Sequence, residues 1–344
     1  MNLLLKDYKA RLLESLLRFL WRQWSALGVA GHASSDDPWM IDPEALLLFS
    51  TSIARYDARL FDEVFDWLHR NGSWINLQRL GRMQKEEKFG EPSVLAAMAR
   101  HLLKDSSLSK WKSLTGHEFE KENEKAFHGP LFIGLPETKN MDETFARYGW
   151  IRPEPDLRGM SKSPRPDRPA NFLFKLRALL GRQARAEIFA WMLTHEQGHP
   201  AEVARQVGYY RRTVQQVLNE LSESGHVRTF RSGREKYFAI NHREWRFLIP
   251  GAGAETFPAW INWAPLFTAL QFFLSTLSKP GFDEDSERFQ SIQLRQALQN
   301  SLPALIRAGI VKDLKATENL QGSDFIEAVL SDLETILRII NADD

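Results

Sequence analysis

The sequence predicts a mainly α-helical, multi-domain protein with one small unit near its centre, built from helices and two short strands and flanked by helical regions. Three observations predict it. Apolar residues recur at helical spacing through both ends of the chain. Strand-like alternation is confined to residues 226–241. Five prolines interleaved with charge interrupt the chain between residues 152 and 169. With 344 residues, 43% of them hydrophobic, the chain has material for two or three cores. It has no cysteine, which excludes disulfides, thiolate chemistry and Cys-ligated zinc, and fits a cytoplasmic protein. No stretch approaches the ~20 apolar residues of a membrane span, so a soluble protein without membrane association is expected.

The N-terminal region, residues 1–150, reads as helical. Leu5, Tyr8, Leu12, Leu13, Leu16, Leu20 and Trp24 form one stripe, broken by Lys6, Asp7, Lys9, Arg11, Glu14 and Arg18. That is an amphipathic helix packed on a partner surface, not the continuous apolar run of a signal peptide. Asp42-Pro43-Glu44 is a helix start: a capping acceptor, a proline in the first turn and an acid complementing the dipole. A further helix opens at Asp57 and stops near Asn71-Gly72, and another covers residues 93–104. Residues 57–83 leave room for a second helix-turn-helix. Residues 104–128 are polar and read as a loop or an irregular helix. The stretch "RPEPDLRGMSKSPRPDRP" (152–169) supports neither helix nor central strand, so residues 151–170 are expected to be a linker, a solvated tether.

Residues 171–246 follow. "NFLFKLRALLG" is a short amphipathic helix ending at Gly181. "ARAEIFAWMLTH" (184–195) is apolar on most faces. "PAEVARQVG" (200–208) opens on proline, carries Val203, Ala204 and Val207 on one side, and ends at Gly208. "YRRTVQQVLNELSESG" (210–225) puts Val214, Val217, Leu218 and Leu221 on one face and Arg211, Arg212, Gln215, Gln216 and Asn219 on the other. "HVRTFRSGREKYFAIN" (226–241) alternates, breaks at Ser232-Gly233 and resumes, as a hairpin does. Charge singles out the same region. Residues 181–246 hold eleven basic and seven acidic side chains, net +4, and residues 152–177 are also +4. Residues 247–344 are −6 and residues 1–151 are −1. An anionic partner is expected for the middle alone.

"HEQGH" at 195–199 matches the H-E-x-x-H pattern of zinc peptidases. That chemistry needs both histidines on one helical face, with the glutamate as general base. Pro200 disfavours helical backbone at His199, and Gly198 precedes it, so the second histidine belongs to a helix end or loop. Glu220, at the spacing of a third ligand, sits at the end of a different helix. The peptidase reading is set aside, and no enzyme activity, metal or cofactor is expected.

Helix, helix-turn-helix and two-stranded wing, in this order and spacing, resemble the winged helix-turn-helix domain of bacterial transcriptional regulators of the ArsR/MarR type over residues 181–246. The conjunction carries the resemblance: a short second helix, a glycine turn, Thr213-Val214 opening the third helix, L-x-E-S-G-H-V closing it, and a glycine-turn hairpin. The resemblance implies double-stranded DNA as partner. Arginine reads guanine, and glutamine or asparagine reads adenine, in the major groove. Arg211, Arg212, Gln215, Gln216 and Asn219 are the candidate base readers, and positions 211–219 contain no acid. Thr213 and the helix N-terminus would hold phosphate. Tyr210 stands where a short capping side chain is usual, forfeiting about 1 kcal/mol; it is expected either to contact phosphate through its hydroxyl or to be a packed aromatic. Arg231, Arg234 and Lys236 on the wing would lie along phosphates or the minor groove.

The C-terminal region, 250–344, is helical again. "PAWINWAPLFTALQFFL" holds an aromatic cluster around Trp260 and Trp263, and "DFIEAVLSDLETILRII" is a clean amphipathic helix. "GAGAE" (251–255) lacks the glycine pattern of a dinucleotide site and reads as a loop. The N-terminal leucine stripe and the aromatic cluster are the expected surfaces of a homodimer. The whole reads as a dimeric, sequence-specific transcriptional regulator, expected to repress, whose flanks sense a small-molecule effector or bind a protein. The other class is an antitoxin-like adaptor that binds a partner protein and uses its winged helix for autoregulation.

Overall fold

A computed structural model describes residues 2–31, 37–116, 129–134, 141–251, 253–309 and 314–341. Helices dominate, and among the described residues the one antiparallel sheet is a two-stranded ribbon. The N-terminal region supplies α1 (Asn2–Leu27), α2 (Pro43–Ile53), α3 (Ala58–Asn71), α4 (Leu77–Glu87), α5 (Pro92–Leu102) and the single turn α6 (Glu143–Ala146). Two-residue strands β1 (Gly129–Pro130) and β2 (Trp150–Ile151) pair in parallel. Aspartates start α2 and α3 as the residues predict. The Asp42 carboxylate accepts from the Ala45 N–H at 3.1 Å, and Asp57 accepts from Leu60 at 3.0 Å. Residues 106–114 form tight helical turns that bury Leu108 and Trp111. The rest of the stretch expected to be an exposed loop, residues 117–128, lies outside the described residues, as does Ala252 of "GAGAE".

Three long helices close the chain: α11 (Trp263–Leu277), α12 (Glu287–Ala308) and α13 (Gly322–Asn341). They do not form a core of their own. A single apolar cluster takes Leu12, Phe19 and Trp24 from α1, Phe49 from α2, Phe65 from α3, Phe267 from α11 and Phe325 from α13. Phe49 and Phe267 stack with ring centres 4.4 Å apart, and the Tyr8 hydroxyl donates to the Leu330 carbonyl at 3.1 Å. The N- and C-terminal helical regions are thus one body.

This packing corrects the surfaces expected to make a dimer. Leu5, Leu12, Leu16, Leu20 and Trp24 are buried within the chain, on α2, α11 and α13. Trp263 is buried too, its indole N–H donating to the Met40 carbonyl at 2.8 Å, and Trp260 packs at the edge of a second apolar cluster. A periodic apolar stripe shows that a helix must be covered; it does not say by which copy of the chain. Burial of each leucine contributes about 1.5–3 kcal/mol, so the folding chain uses the stripe first.

The proline-rich stretch carries no regular element from residue 152 to 165, as its prolines require, yet it is not a free tether. It lies strapped along α3. Arg152 is buried in an ion pair with Asp62 at 2.8 Å, and Arg158 pairs with Glu63. The N–H groups of Gly159 and Ser161 donate to the Asp66 carboxylate at 2.7 and 3.0 Å. The Lys162 N–H donates to the Gly28 carbonyl at 2.7 Å. Of the basic residues there, Arg158, Lys162 and Arg165 are exposed, Arg165 paired with Asp167, and Arg168 is half-buried.

Candidate nucleic-acid interface

The second apolar cluster belongs to the middle of the chain. It is built by α7 (Phe172–Leu180), α8 (Ala184–Met192), α9 (Pro200–Val207), α10 (Arg211–Glu223) and the ribbon of β3 (Val227–Ser232) and β4 (Glu235–Ile240). The α9–α10 corner is made by Gly208, whose φ of 73° closes α9 in the left-handed conformation that glycine adopts at no steric cost. Val214, Val217 and Leu218 of α10 face inward against Ile188, Val203 and Val207. The other face is left open. There Arg211, Arg212 and Gln216 are exposed, while Thr213, Gln215 and Asn219 are half-buried.

These side chains are tied to one another. Gln215 donates to the Asn219 side-chain oxygen at 3.3 Å, and Lys236 Nζ reaches the same oxygen from the wing at 3.0 Å. Gln216 donates to Glu220 at 3.0 Å, and Glu220 also pairs with Arg185 of α8. Lys236 therefore braces the wing against α10. In the ribbon Arg231 stands opposite Lys236 and Ser232 opposite Glu235, so Gly233 and Arg234 form a two-residue tip. Arg231 and Arg234 are exposed. The wing has a third pairing at its base, where Gly198 and Phe238 exchange backbone bonds of 2.9 and 3.0 Å.

That pairing accounts for HEQGH. The His195 ring lies flat on Trp191, centroids 3.9 Å apart, with Nδ1 2.8 Å from the Trp191 carbonyl. His199 has extended backbone, φ −88° and ψ 140°, and caps α9 by accepting from the Ala201 N–H. Neither histidine is helical: His195 lies in the bend after α8 and His199 stands before α9, as Pro200 predicts for the second. A Cβ on Gly198 would come within 2.4 Å of Trp191 and 2.7 Å of Val203, so only glycine fits beneath the indole. Packing and local hydrogen bonds account for the positions of His195, Gly198 and His199.

Tyr210 makes no side-chain cap for α10 and is 65% exposed. The Arg82 guanidinium of α4 sits over its ring at 3.7 Å. Neighbouring Tyr209 turns inward and donates to Glu187 at 3.3 Å. Burial, then the Glu187 charge, holds its phenol pKa well above the ordinary value, so it stays a donor.

Tyr209 leads into a buried ionic cluster that the sequence did not disclose. Arg177 of α7, fully buried, donates to Glu44 of α2 at 2.6 Å and to Glu187 of α8 at 2.6 Å. Its Nη1 also meets the Trp74 carbonyl at 2.9 Å. Arg79 of α4 donates to Glu44 at 2.7 Å, to Asp42, and to the Val207 carbonyl at the end of α9 at 2.9 Å. Burial alone would lower the Arg177 pKa, but Glu44 and Glu187 raise it above the ordinary arginine value. Burial would likewise raise the Asp42 carboxyl, and Arg79 more than reverses it, leaving it low. Two arginines thus fasten the α9–α10 corner to the helical body. Between α4 and that corner lies a cleft of about 540 Å³, lined by Arg82, Arg205, Arg211 and Arg307 along with Glu86 and Glu87. Glu87 pairs with Arg307 at 2.6 Å and Glu86 with Arg82 at 2.8 Å. Arg82 and Arg205 extend the basic surface beyond the positions that helical periodicity could name.

Residues 182–243 match the family described as sugar-specific transcriptional regulator TrmB. The match coincides with α8 through β4 and covers a minor part of the chain. It supports a transcriptional regulator with a DNA-binding domain of this kind, and does not single out the ArsR or MarR type. Neither the curated proteins nor the solved structures gave a match to this chain. Among the described residues, no helix is long and apolar enough to cross a membrane.

Proposed function

We propose that this chain is a sequence-specific regulator of transcription that binds double-stranded DNA through α10 and the wing, acting in the cytoplasm as a dimeric repressor. The carrying observation is that the open face of α10 presents Arg211, Arg212 and Gln216 on the same unit as the exposed wing arginines Arg231 and Arg234. Arginine and amide groups are the side chains that read base edges, and arginines on a ribbon suit phosphates. In this reading Arg211, Arg212, Gln215 and Gln216 enter the major groove, with Asn219 held in register by Lys236. Thr213 and the N-terminus of α10 hold phosphate, and Arg82, stacked on Tyr210, brings a charge from the helical body to the same edge. No catalytic step and no cofactor is assigned. The effector is a small molecule; because the matched family is described as sugar-specific, sugars are the first candidates to test.

The experiment is a pull-down of sheared genomic DNA with the purified full-length chain, followed by footprinting of what is recovered. The reading expects a small set of promoter fragments sharing a two-fold symmetric sequence, with half-sites a helical turn of about 10 base pairs, or a multiple, apart. Recovery of the chain's own promoter alone would argue for the antitoxin-like adaptor class, and uniform recovery of the genome, or none, would overturn sequence-specific binding.

A further inference from the structure

The proposed dimer lacks a surface, because the stripes that suggested one are internal. The outside of α12 offers another. Its buried side is continuous: Leu294, Ala297, Leu298, Ser301, Ala304 and Leu305 all face the core. Its open side carries Phe289, Ile292, Leu302 and Ile306, which are 52, 52, 38 and 67% exposed. Four large apolar side chains on one solvent-facing helix are more than isolated surface residues explain. Between them lie exposed Gln296 and Gln299, and Pro303 follows on the same side. A proline has no N–H to give, so the Gln299 carbonyl lacks its regular helical partner.

The order of these residues reads the same in both directions. About a point between Ala297 and Leu298, Phe289 mirrors Ile306, Ile292 mirrors Pro303 beside Leu302, and Gln296 mirrors Gln299. Apolar groups stand at both ends and amides in the middle. A helix face with this symmetry is complementary to itself when a second copy runs antiparallel. Rotation about a two-fold axis at that point lays Phe289 on Ile306 of the partner subunit and sets Gln296 against Gln299 of the partner subunit. The amide of Gln296 then comes level with the partner subunit's Gln299 carbonyl, which Pro303 leaves without its regular helical donor. The two helix dipoles oppose. An isologous contact sets residue i of one copy on residue j of the other and j on i, so this order places apolar groups on apolar groups and amide on amide.

We infer that the exposed face of α12 is a homodimer interface in which two copies of the helix pack antiparallel about a two-fold axis between Ala297 and Leu298. This deepens, and rests on, the reading of the protein as a two-fold DNA-binding dimer, supplying the surface that holds its two winged helices together.

The chain has no cysteine, so any cysteine introduced is its only thiol. Three single variants are made in the full chain: Gln299→Cys, Phe289→Cys and Ile306→Cys. Each is treated with a short thiol-to-thiol cross-linker in the absence of DNA. At 1.5 Å per residue, position 299 lies about 2 Å from the axis along the helix, whereas position 289 lies about 25 Å from its own copy. Gln299→Cys should cross-link to itself. Phe289→Cys and Ile306→Cys should each fail alone and cross-link when mixed. Sedimentation of the unmodified chain should show a dimer that Ile292→Glu converts to monomer while its circular dichroism is unchanged. A chain that is monomeric at every concentration overturns the inference. So does a dimer in which Phe289→Cys cross-links to itself as readily as Gln299→Cys, or one that survives Ile292→Glu. Because no DNA is present, none of these results bears on the winged helix.

Discussion

Replacing Arg177 by methionine should be among the most damaging single changes outside the apolar core. The side chain is buried, and its guanidinium donates to two carboxylates and one carbonyl: Glu187 at 2.6 and 2.8 Å, Glu44 at 2.6 and 2.9 Å, and Trp74 at 2.9 Å. Methionine fills similar volume, so the loss is electrostatic. It leaves Glu187 with only a Tyr209 hydroxyl bond and Glu44 with Arg79 and a backbone N–H. Removing one member of a buried ionic group costs about 3–5 kcal/mol, because the stranded charge cannot be rehydrated. Total stabilities are only about 5–15 kcal/mol, so the variant should unfold at much lower urea. The damage should also have a place. Arg177 joins α2 to α8, so hydrogen exchange should quicken first in α8–α10 while α2 and α11 keep their protection. Adding Glu187→Gln to Arg177→Met should restore part of the loss, since the pair is coupled rather than additive. A loss below about 1 kcal/mol, or exchange quickening evenly through both regions, would refute the idea that this cluster fastens the winged helix to the body.

Gln216→Ala should cost about 1–3 kcal/mol on the preferred DNA site and relax preference there, measured by competition between sites. Gln215→Ala should do less to base reading, since its amide is engaged with Asn219. Arg231→Ala and Arg234→Ala should instead weaken all sequences alike and lower the salt slope by about one for each phosphate left without its arginine, seen in binding isotherms at several salt concentrations. His101, packed on Phe65 and His69, has its pKa held to about 4 by burial and then by Lys104. The folded chain therefore binds fewer protons there than the unfolded chain, whose histidine titrates near 6.5. Urea unfolding should show stability intact above that pH and falling as pH drops from about 6.5 towards 4. His101→Phe should flatten that slope.

The winged helix is legible in the sequence because its determinants are local. Gly208 and Gly233 mark its turns, Val214, Val217 and Leu218 mark the inner face of α10, and the absence of acid from 211 to 219 marks the outer one. What lies between distant segments is not legible. Glu44 looks like an acid complementing the start of α2, yet it is the hub for Arg79 and Arg177, which arrive from 35 and 133 residues away. Nothing in either neighbourhood records that meeting. The α1 stripe announces a buried face but not its cover, because Tyr8 finds Leu330 across 322 residues. Proline content correctly removes regular structure from 152–165 without showing that backbone N–H groups there would find Asp66. Charge alone assigns Lys236 to phosphate; its bond to Asn219 depends on how the ribbon leans, which no spacing rule carries.

DNA binding by α10 and the wing is the central claim, and one measurement reaches it most directly. The full-length chain is titrated onto its recovered promoter fragment and onto a scrambled duplex between about 50 and 200 mM salt, beside the Arg211→Ala/Arg212→Ala variant. The fragment should be preferred by at least about 10³, and binding to both duplexes should weaken steeply and log-linearly with salt as phosphate counterions are released. The variant should fold normally and lose most of the preference. Binding that ignores salt, or a preference that survives removal of both arginines, would contradict the claim.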